Sequence, residues 1–208
     1  MDAFELPPLV VSDPNSNITD LLVDRVNKTP KLPLFALNSA KGFDNVNAAD
    51  FLAEVRALAK GLIASGIQPS QAVAIMSRTR YEWTLMDFAI WFAGGVTVPI
   101  YETSSASQME WILSDSDTVA LFTENNDHVQ RFEQIKASVP LVRTVMTFDN
   151  GDLDELKRRG KEISDDLVEQ RRKISKLKLF ECAYNLEEIF KPQKKPSQSE
   201  SLISVYCT

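Results

Sequence analysis

The sequence predicts an α/β fold that is organised around a parallel β-sheet. Between residues 48 and 148, short apolar runs alternate with amphipathic stretches of about ten residues, which is the spacing of βαβ units. Gly66 and the pair Gly94-Gly95 stand where two of these stretches end, as expected for helix C-termini. Hydrophobic residues make up 44% of the 208 residues and charged residues 25%, a balance typical of a folded globular domain.

Composition and periodicity divide the chain into four segments. Residues 1–47 are a lead-in rich in Pro and Asn, with room for a short helix and a short strand. Residues 48–148 hold the βαβ units, and residues 149–172 form a charged helical segment. Residues 173–208 are a divergent tail in which Lys and Ser dominate. One domain of ordinary size is therefore expected, followed by a segment of different character.

The first predicted elements lie in the lead-in and directly after it. A helix is predicted at Ile18–Val26, and Thr29-Pro30 ends it because the residue before a proline is disfavoured in the α region. A short strand is predicted at Leu32–Leu37. From Phe51 to Ile63, apolar residues recur at i, i+3, i+4 and i+7, so one face of a helix is expected to be buried. Gly66 is its expected C-terminal cap.

A strand, a helix and a second strand follow. Ala72–Met76 is an apolar run of the length of a buried strand. Thr79-x-x-Glu82 has the form of a capping box, which predicts the start of a helix at Tyr81–Phe92. Gly94-Gly95 ends that helix, and Val96–Tyr101 is the next strand. Because a helix separates the two strands, we expect them to be parallel.

The same alternation continues to residue 148. Ser107-x-x-Glu110 predicts a second capping box, at the start of a helix that runs to Leu113. The remaining predicted elements are a strand at Val119–Thr123, a helix at Asp127–Ser138 and a strand at Val142–Phe148.

The last part of the chain changes character. Asp152–Arg172 is dense in charges of both signs, so we expect a solvated helix with a break at Gly160. From Lys173 onward the chain contains no glycine, and Lys176–Phe190 could form an amphipathic helix. The rest lacks periodicity and is typical of a disordered end.

Charge and cysteine content exclude several classes of protein. The net charge of −6 and the pI near 4.9 disfavour binding to a nucleic-acid backbone. No apolar run approaches the ~20 residues that span a bilayer, and the acidic start differs from a secretory signal. Cys182 and Cys207 are too few for a disulfide framework, which favours the cytoplasm. His128 is the only histidine and no CxxC occurs, so no metal site is expected.

Three blocks of sequence resemble the N-terminal part of long-chain fatty-acid–CoA ligases of the bacterial, actinobacterial type. They read FLAEVRALAKGLIASGI at Phe51–Ile67, VAIMSRTRYEWTLMDFAIWFAGGVTVPIYETSS at Val73–Ser105 and QMEWILSDSDTVALF at Gln108–Phe122. The resemblance continues weakly to Arg172. It implies a partial doubly wound sheet, the N-terminal subdomain portion of the adenylate-forming, AMP-binding fold, followed by a non-family, partly disordered C-terminal tail.

The resemblance also implies a reaction for the intact family. Family members use ATP and Mg²⁺ to convert a fatty acid to an acyl-adenylate and then transfer the acyl group to coenzyme A, some of them at a membrane periphery. They need a loop of the type Tyr-Thr-Ser-Gly-Thr-Thr-Gly-x-Pro-Lys-Gly, whose backbone N–H groups approach the phosphates. They also need an acidic residue for magnesium, an Asp for the ribose and a late Lys.

This sequence departs from the family pattern after Arg172, where KISKLKLFECAYNLEEIFKPQKK follows instead of that loop. None of its glycines lies in a glycine-rich loop with Ser, Thr and Lys. They are Gly42, Gly61, Gly66, Gly94, Gly95, Gly151 and Gly160. We therefore assign no catalytic, cofactor-binding or metal-binding residue of the family to a position in this sequence. We also expect no cofactor for this chain alone. A frameshift, a premature stop or a misjoined gene would produce such a tail.

Two functions remain open. The first is a truncated long-chain fatty-acid–CoA ligase that is inactive alone. The alternative is a non-catalytic interaction module, or one half of a split acyl-CoA synthetase that a separate C-terminal half complements. An unrelated small hydrolase is disfavoured, because no nucleophile motif is present.

Four features could take part in binding, and each has a structural interpretation beside the functional one. Gly94-Gly95 is a helix cap rather than a nucleotide-binding turn, and Tyr101-Glu102-Thr103 is either a ligand contact at a strand end or an exit turn. His128 is expected at the surface without a catalytic role. Aromatic residues at helical spacing are expected in the core rather than in an acyl pocket. They are Tyr81, Trp83, Phe88, Trp91 and Phe92.

Overall fold

The computed structural model describes residues 16–40 and 42–184, with side chains described through residue 174. The described elements follow the chain as helix, hairpin and then alternating helices and strands. They are α1 (Ile18–Lys28), β1 (Pro33–Ser39), β2 (Gly42–Asn47), α2 (Ala48–Ala64), β3 (Ala72–Met76), α3 (Tyr81–Phe92), β4 (Val96–Ile100), α4 (Ala106–Asp115), β5 (Ala120–Thr123), α5 (Asn126–Glu133), β6 (Thr144–Thr147), α6 (Asp152–Arg159) and α7 (Asp165–Tyr184). Single 3₁₀ turns lie at Lys136–Ser138, Phe148–Asn150 and Gly160–Glu162.

Four strands form a parallel sheet in the order β4-β3-β5-β6. Ala74 of β3 lies opposite Val98 of β4 on one side and Leu121 of β5 on the other. The chain first moves from β3 to β4 and then returns to the other side of β3 for β5, so the direction of winding reverses between β3 and β5. The predicted α/β class and its parallel sheet are confirmed.

Helices cover both faces of this sheet, which explains why its central strand is apolar throughout. Val73 and Ile75 of β3 face the layer that holds α2, α3, α6 and α7. Ala74 and Met76 face the opposite layer, with Met109 of α4. All five residues of β3 are buried. The uninterrupted apolar run that predicted a buried strand therefore reflects burial on two sides.

The two-stranded antiparallel sheet β1-β2 was only partly predicted. The expected strand at Leu32–Leu37 is β1, shifted by a few residues, but its partner β2 was missed. The sequence of β2, GFDNVN, is polar and largely exposed, so it lacks the alternation that marks a half-buried strand. Gly42 starts β2 with φ +117°, a conformation that favours glycine.

Both predicted capping boxes are wrong. Helix α3 has Arg80 as its N-cap without a side-chain cap, and Glu82 instead accepts a hydrogen bond of 2.6 Å from Arg80 Nε. Helix α4 begins earlier than expected, and its capping box joins Ser105 and Gln108. Near the start of α4 both Ser105-x-x-Gln108 and Ser107-x-x-Glu110 have the form of a capping box, so the pattern alone cannot fix that boundary.

The remaining boundaries differ by small amounts from the predicted ones. Helix α1 extends to Lys28, and α2 contains the predicted apolar face. Gly66 has φ +90° directly after the end of α2, which confirms its role as a cap. Helix α5 ends at Glu133, and a separate 3₁₀ turn covers part of the helix that was expected to run to Ser138.

The charged segment is helical with a break at Gly160, as predicted, but it is not simply a solvated helix. Leu153, Leu156, Val168 and Arg172 are buried against the sheet-covering layer. The segment therefore closes the core with one face and exposes its charges on the other. Helix α7 continues to Tyr184, within the range expected for an amphipathic helix, and Cys182 lies in it. Residues 185–208, including Cys207 and the expected disordered end, lie outside the described residues.

One carboxyl group is buried in the layer between α3 and β4. Asp87 is 8% exposed, and its Oδ1 has no hydrogen-bond partner among the described residues. Thr97 of β4 is equally buried, and its Oγ1 also lacks a well-aligned partner there. Burial raises the pKa of Asp87 from 3.8 to about 6, and the nearby Thr97 hydroxyl offsets part of that increase.

Asp87→Asn is expected to stabilise the chain at neutral pH. Because the folded-state pKa is raised, Asp87 contributes fully to stability below about pH 3.8, and that contribution is lost as the pH rises through about 6. The ionised carboxyl then costs about 3 kcal/mol, which the amide avoids. Urea unfolding of wild type and variant should differ by about this amount at pH 7.5 and converge near pH 4.

The exposed residue Asp154, whose side chain is 89% exposed, provides the control. Asp154→Asn should change the free energy of unfolding by less than about 0.5 kcal/mol at either pH. A gain for Asp87→Asn that is equal at pH 4 and pH 7.5 would show that burial of charge is not its source.

Candidate functional site

The carboxyl ends of the four parallel strands form the candidate site. Sheets of this type bind ligands outside these ends, at the point where the winding direction reverses. Here that point lies between β3 and β5, so the loops that begin at Ser77 and Glu124 face each other. The loops that begin at Tyr101 and Phe148 flank them, after β4 and β6.

Glu124 lies at the centre of the site. Glu124 is 6% exposed. Its Oε2 accepts hydrogen bonds from the Arg78 backbone N–H at 3.0 Å and from Ser77 Oγ at 3.3 Å. Its Oε1 pairs with Arg78 Nε at 3.1 Å. A carboxylate of the chain itself therefore fills the crevice between β3 and β5. The sequence analysis missed this residue, although an acid directly after a buried strand could have indicated it.

An arginine connects the end of β3 to the end of β6. Arg80 Nε binds Glu82 at 2.6 Å, and its NH1 binds Asp149 at 2.7 Å. Its guanidinium also lies 5.9 Å from the centroid of the Phe148 ring. Burial acts against ionisation of Glu82, but the hydrogen bond and charge of Arg80 prevail, so the pKa of Glu82 is lowered. Hydrogen bonds to Glu82 and then Asp149 raise the pKa of Arg80. Both of these partners belong to the chain itself.

The turn after β4 is anchored by helix α5. The carbonyl oxygen of Glu102 accepts hydrogen bonds from His128 Nε2 at 3.1 Å and from Arg131 NH1 at 2.9 Å. Arg131 NH1 also donates to the Ser104 carbonyl at 2.7 Å. Tyr101, at the start of this turn, exposes 81% of its surface. The geometry supports the interpretation of residues 101–103 as a strand-exit turn, and a ligand contact there stays a prediction.

His128 is buried, so its expected surface position is wrong. It is 5% exposed, because α5 presses it against the turn after β4. The bond to the Glu102 carbonyl requires the proton on Nε2, and Nδ1 has no hydrogen-bond partner among the described residues. Its polar neighbours in sequence concealed this burial. Its partner lies 26 positions earlier in the chain, which local sequence cannot reveal.

Gly94 and Gly95 end α3 in the manner of a helix cap. The Gly94 N–H donates to the Trp91 carbonyl and the Gly95 N–H to the Ile90 carbonyl. Gly94 has φ +82°, and a Cβ there would lie 2.9 Å from the Arg171 carbonyl oxygen. These positions require glycine for backbone geometry and close packing, which confirms the structural interpretation.

The five aromatic residues of α3 belong to the packing of the domain. Phe92 is fully buried, and Tyr81, Trp83 and Phe88 pack against the same core. The ring of Phe88 meets that of Trp91 edge-on at 5.1 Å. Among the described residues, four of these side chains contact the core as predicted, and Trp91 packs on Phe88.

A second concave region lies between α1, α2 and α6–α7, with a volume of about 490 Å³. Three of its four basic side chains pair with carboxylates, among them Arg56 with Glu169 at 2.7 Å and Lys60 with Asp165 at 3.0 Å. Lys157 binds Glu54 at 2.9 Å in the same way. The fourth basic residue of the lining, Lys161, has no ion pair among the described residues, so most but not all of the positive charge in the cleft is compensated.

The described residues do not assemble a magnesium site. No three His, Cys, Asp or Glu side chains within residues 16–40 and 42–184 come together as a possible metal cluster. The carboxylates at the strand ends are engaged by arginines instead. Of the helices in this part of the chain, none combines the length and the apolar character needed to cross a membrane.

Comparisons with known proteins agree on one family. The family model described as AMP-binding enzyme matches residues 22–206. This range includes most of residues 173–208, the tail that was expected to diverge from the family. The origin of that tail stays a prediction. Long-chain-fatty-acid–CoA ligase FadD15 of Mycobacterium bovis is 38% identical over 139 residues, which cover 67% of this chain and 23% of that protein. The chain thus spans about a quarter of the length of this relative.

Solved structures support the fold. A long-chain-fatty-acid-CoA ligase (FadD1) from Archaeoglobus fulgidus superposes with a TM-score of 0.66 at 17% identity, covering 77% of this chain and 33% of that one. The anthranilate CoA ligase AuaEII, solved with anthranoyl-AMP, gives a TM-score of 0.62 at 17% identity, covering 71% of this chain and 28% of that one. At these identities the likeness shows a shared fold.

Proposed function

Because the chain belongs to the AMP-binding enzyme family, whose model matches residues 22–206, we propose that it supplies the N-terminal scaffold of a long-chain fatty-acid–CoA ligase. The observation that carries the proposal is the 38% identity to the mycobacterial ligase over a segment that makes up 23% of that ligase. The reaction of the whole enzyme would join a fatty acid to coenzyme A through an acyl-adenylate, with ATP and Mg²⁺. A cytoplasmic location is part of the same proposal.

We propose further that these 208 residues do not catalyse this reaction alone. The sequence contains no glycine-rich phosphate loop, and Gly94-Gly95 serves as a helix cap. The crevice at the strand ends is filled by Glu124, and Arg80 is committed to Glu82 and Asp149. No free cluster of donors for nucleotide phosphates is left at the strand ends within the described residues. ATP binding would then depend on polypeptide beyond this segment of the fold.

A second candidate is one half of a split synthetase, or an interaction module. Phe43 on the two-stranded sheet is 73% exposed, whereas Leu34, Phe35 and Val46 of the same sheet pack against the core. A separate polypeptide that carries the remaining family motifs could cover this region and complete the nucleotide site.

ATP–pyrophosphate exchange with long-chain fatty acids tests both proposals. The purified chain alone should give background exchange, whereas the intact FadD15 of Mycobacterium tuberculosis, a relative 37% identical over 139 residues, serves as the positive control. Robust exchange by the chain alone would contradict the inactive scaffold. A mixture with the remaining part of that relative should regain exchange if the chain is a complementing half. Background exchange in the mixture would contradict the split-enzyme candidate.

A further inference from the structure

The crevice between the ends of β3 and β5 has the donor set of an oxyanion site. The Arg78 backbone N–H, Arg78 Nε and Ser77 Oγ converge on one carboxylate, at 3.0, 3.1 and 3.3 Å. The Ser77 hydroxyl has the Arg78 carbonyl as a second acceptor at 2.9 Å, so its single hydrogen is shared. Successive donors of this kind form concave sites that bind anions in other α/β folds.

The carboxylate that occupies this site is enclosed on the protein side and covered by an arginine on the solvent side. The Glu124 side chain is 8% exposed, whereas that of Arg78 is 68% exposed. Movement of Arg78 alone would therefore open a path from solvent to the site. The position of the crevice is also where sheets of this topology bind their ligands.

The strand ends that flank the crevice are held by backbone hydrogen bonds that do not involve the Glu124 side chain. The Glu124 N–H donates to the Met76 carbonyl at 2.9 Å, and its carbonyl accepts from the Asp149 N–H at 3.0 Å. These bonds tie the end of β5 to the ends of β3 and β6. Removal of the side chain should therefore leave the donors in place around an empty pocket of carboxylate size.

We propose that this crevice is a carboxylate-binding site which the chain fills with Glu124 as an internal ligand. A tethered ligand acts at a high effective concentration, so free carboxylates cannot compete in the wild-type chain. The site becomes available only when Glu124 leaves it. This inference goes beyond the proposed ligase scaffold and does not depend on ligase activity.

Chemical rescue by acetate tests the proposal, because acetate has the atoms that Glu124→Ala removes. In about 100 mM sodium acetate, Glu124→Ala should melt about 3 °C higher than in sodium chloride of equal ionic strength. This shift is expected for a ligand that binds only the folded chain, with a Kd in the millimolar range. The melting temperatures of wild type in the two salts should differ by less than about 1 °C, which is the size of the experimental error. Adding Arg78→Ala to Glu124→Ala should remove most of the acetate effect.

The matched control is Asp149→Ala. The Asp149 side chain is 48% exposed, and its carboxylate pairs with Arg80. This variant should show no acetate-specific shift. Equal shifts for both variants, or no shift for Glu124→Ala, would overturn the proposal. If Glu124→Ala does not fold in chloride, recovery of folding in acetate supports the site, and failure in both salts contradicts it.

Discussion

Gly61→Ala is expected to destabilise the chain by about 3 kcal/mol, although the same change in an ordinary helix gains about 1 kcal/mol. Gly61 lies inside α2, where α6 crosses it. A Cβ on Gly61 would lie 2.1 Å from the Leu156 carbonyl oxygen, and Leu156 is completely buried. The two helices would have to separate, and the core between them would lose its close packing.

Gly160 contributes the other side of this contact. A Cβ there would lie 2.4 Å from the Gly61 backbone nitrogen, so Gly160→Ala should cause a loss of similar size. The control is Ala53→Gly on the exposed face of α2, which should lose about 1 kcal/mol through helix propensity alone. Urea unfolding measures all three variants. A stabilising Gly61→Ala, opposite in sign to Ala53→Gly, would show that the helices do not approach this closely.

Arg172→Met should cost about 3 kcal/mol, because Arg172 joins the last described helix to the first. Its side chain is 8% exposed and forms ion pairs with Asp20 of α1 and with Glu169. It also donates to Thr19 Oγ1 at 2.9 Å and lies 5.7 Å from the centroid of the Phe92 ring. The substitution removes two ion pairs and the hydrogen bond to Thr19 from a largely buried position, whereas Glu169 keeps its ion pair with Arg56.

The neighbouring Arg171 is the matched control for this prediction. It reaches only the Ile67 carbonyl at 3.4 Å and Gln68 Oε1 at 3.3 Å, both long contacts. Arg171→Met should cost less than about 1 kcal/mol in the same urea unfolding experiment. Equal losses for the two variants would mean that Arg172 acts only as a surface charge.

The elements that the sequence predicts well are those whose signal is local. The strand β3 has the predicted bounds. Its five consecutive apolar residues lie between polar turns, and all five are buried because helices cover both faces of the sheet. The exposed and polar β2 carries no such signal. The capping box of α4 was misplaced by two residues because Ser and Gln or Glu recur at the same spacing there, and α3 has no side-chain cap at all.

Features that depend on long-range contacts were beyond the sequence. Gly160 was predicted only as a helix break, whereas its proximity to Gly61 arises from the crossing of α6 over α2. The expected departure from the family pattern was placed after Arg172, yet Arg172 is a central contact of the fold and α7 continues past it. The burial of His128 and the occupation of the crevice by Glu124 likewise follow from the sheet order.

We propose that this segment supplies scaffold and not the nucleotide site. Calorimetric titration of the purified chain with Mg-ATP tests it most directly, with the intact Mycobacterium tuberculosis relative as a positive control. The chain should give no saturable heat at millimolar ATP, while the relative binds. Saturable binding to one site, with a Kd below about 1 mM, would show that this segment holds a nucleotide site itself.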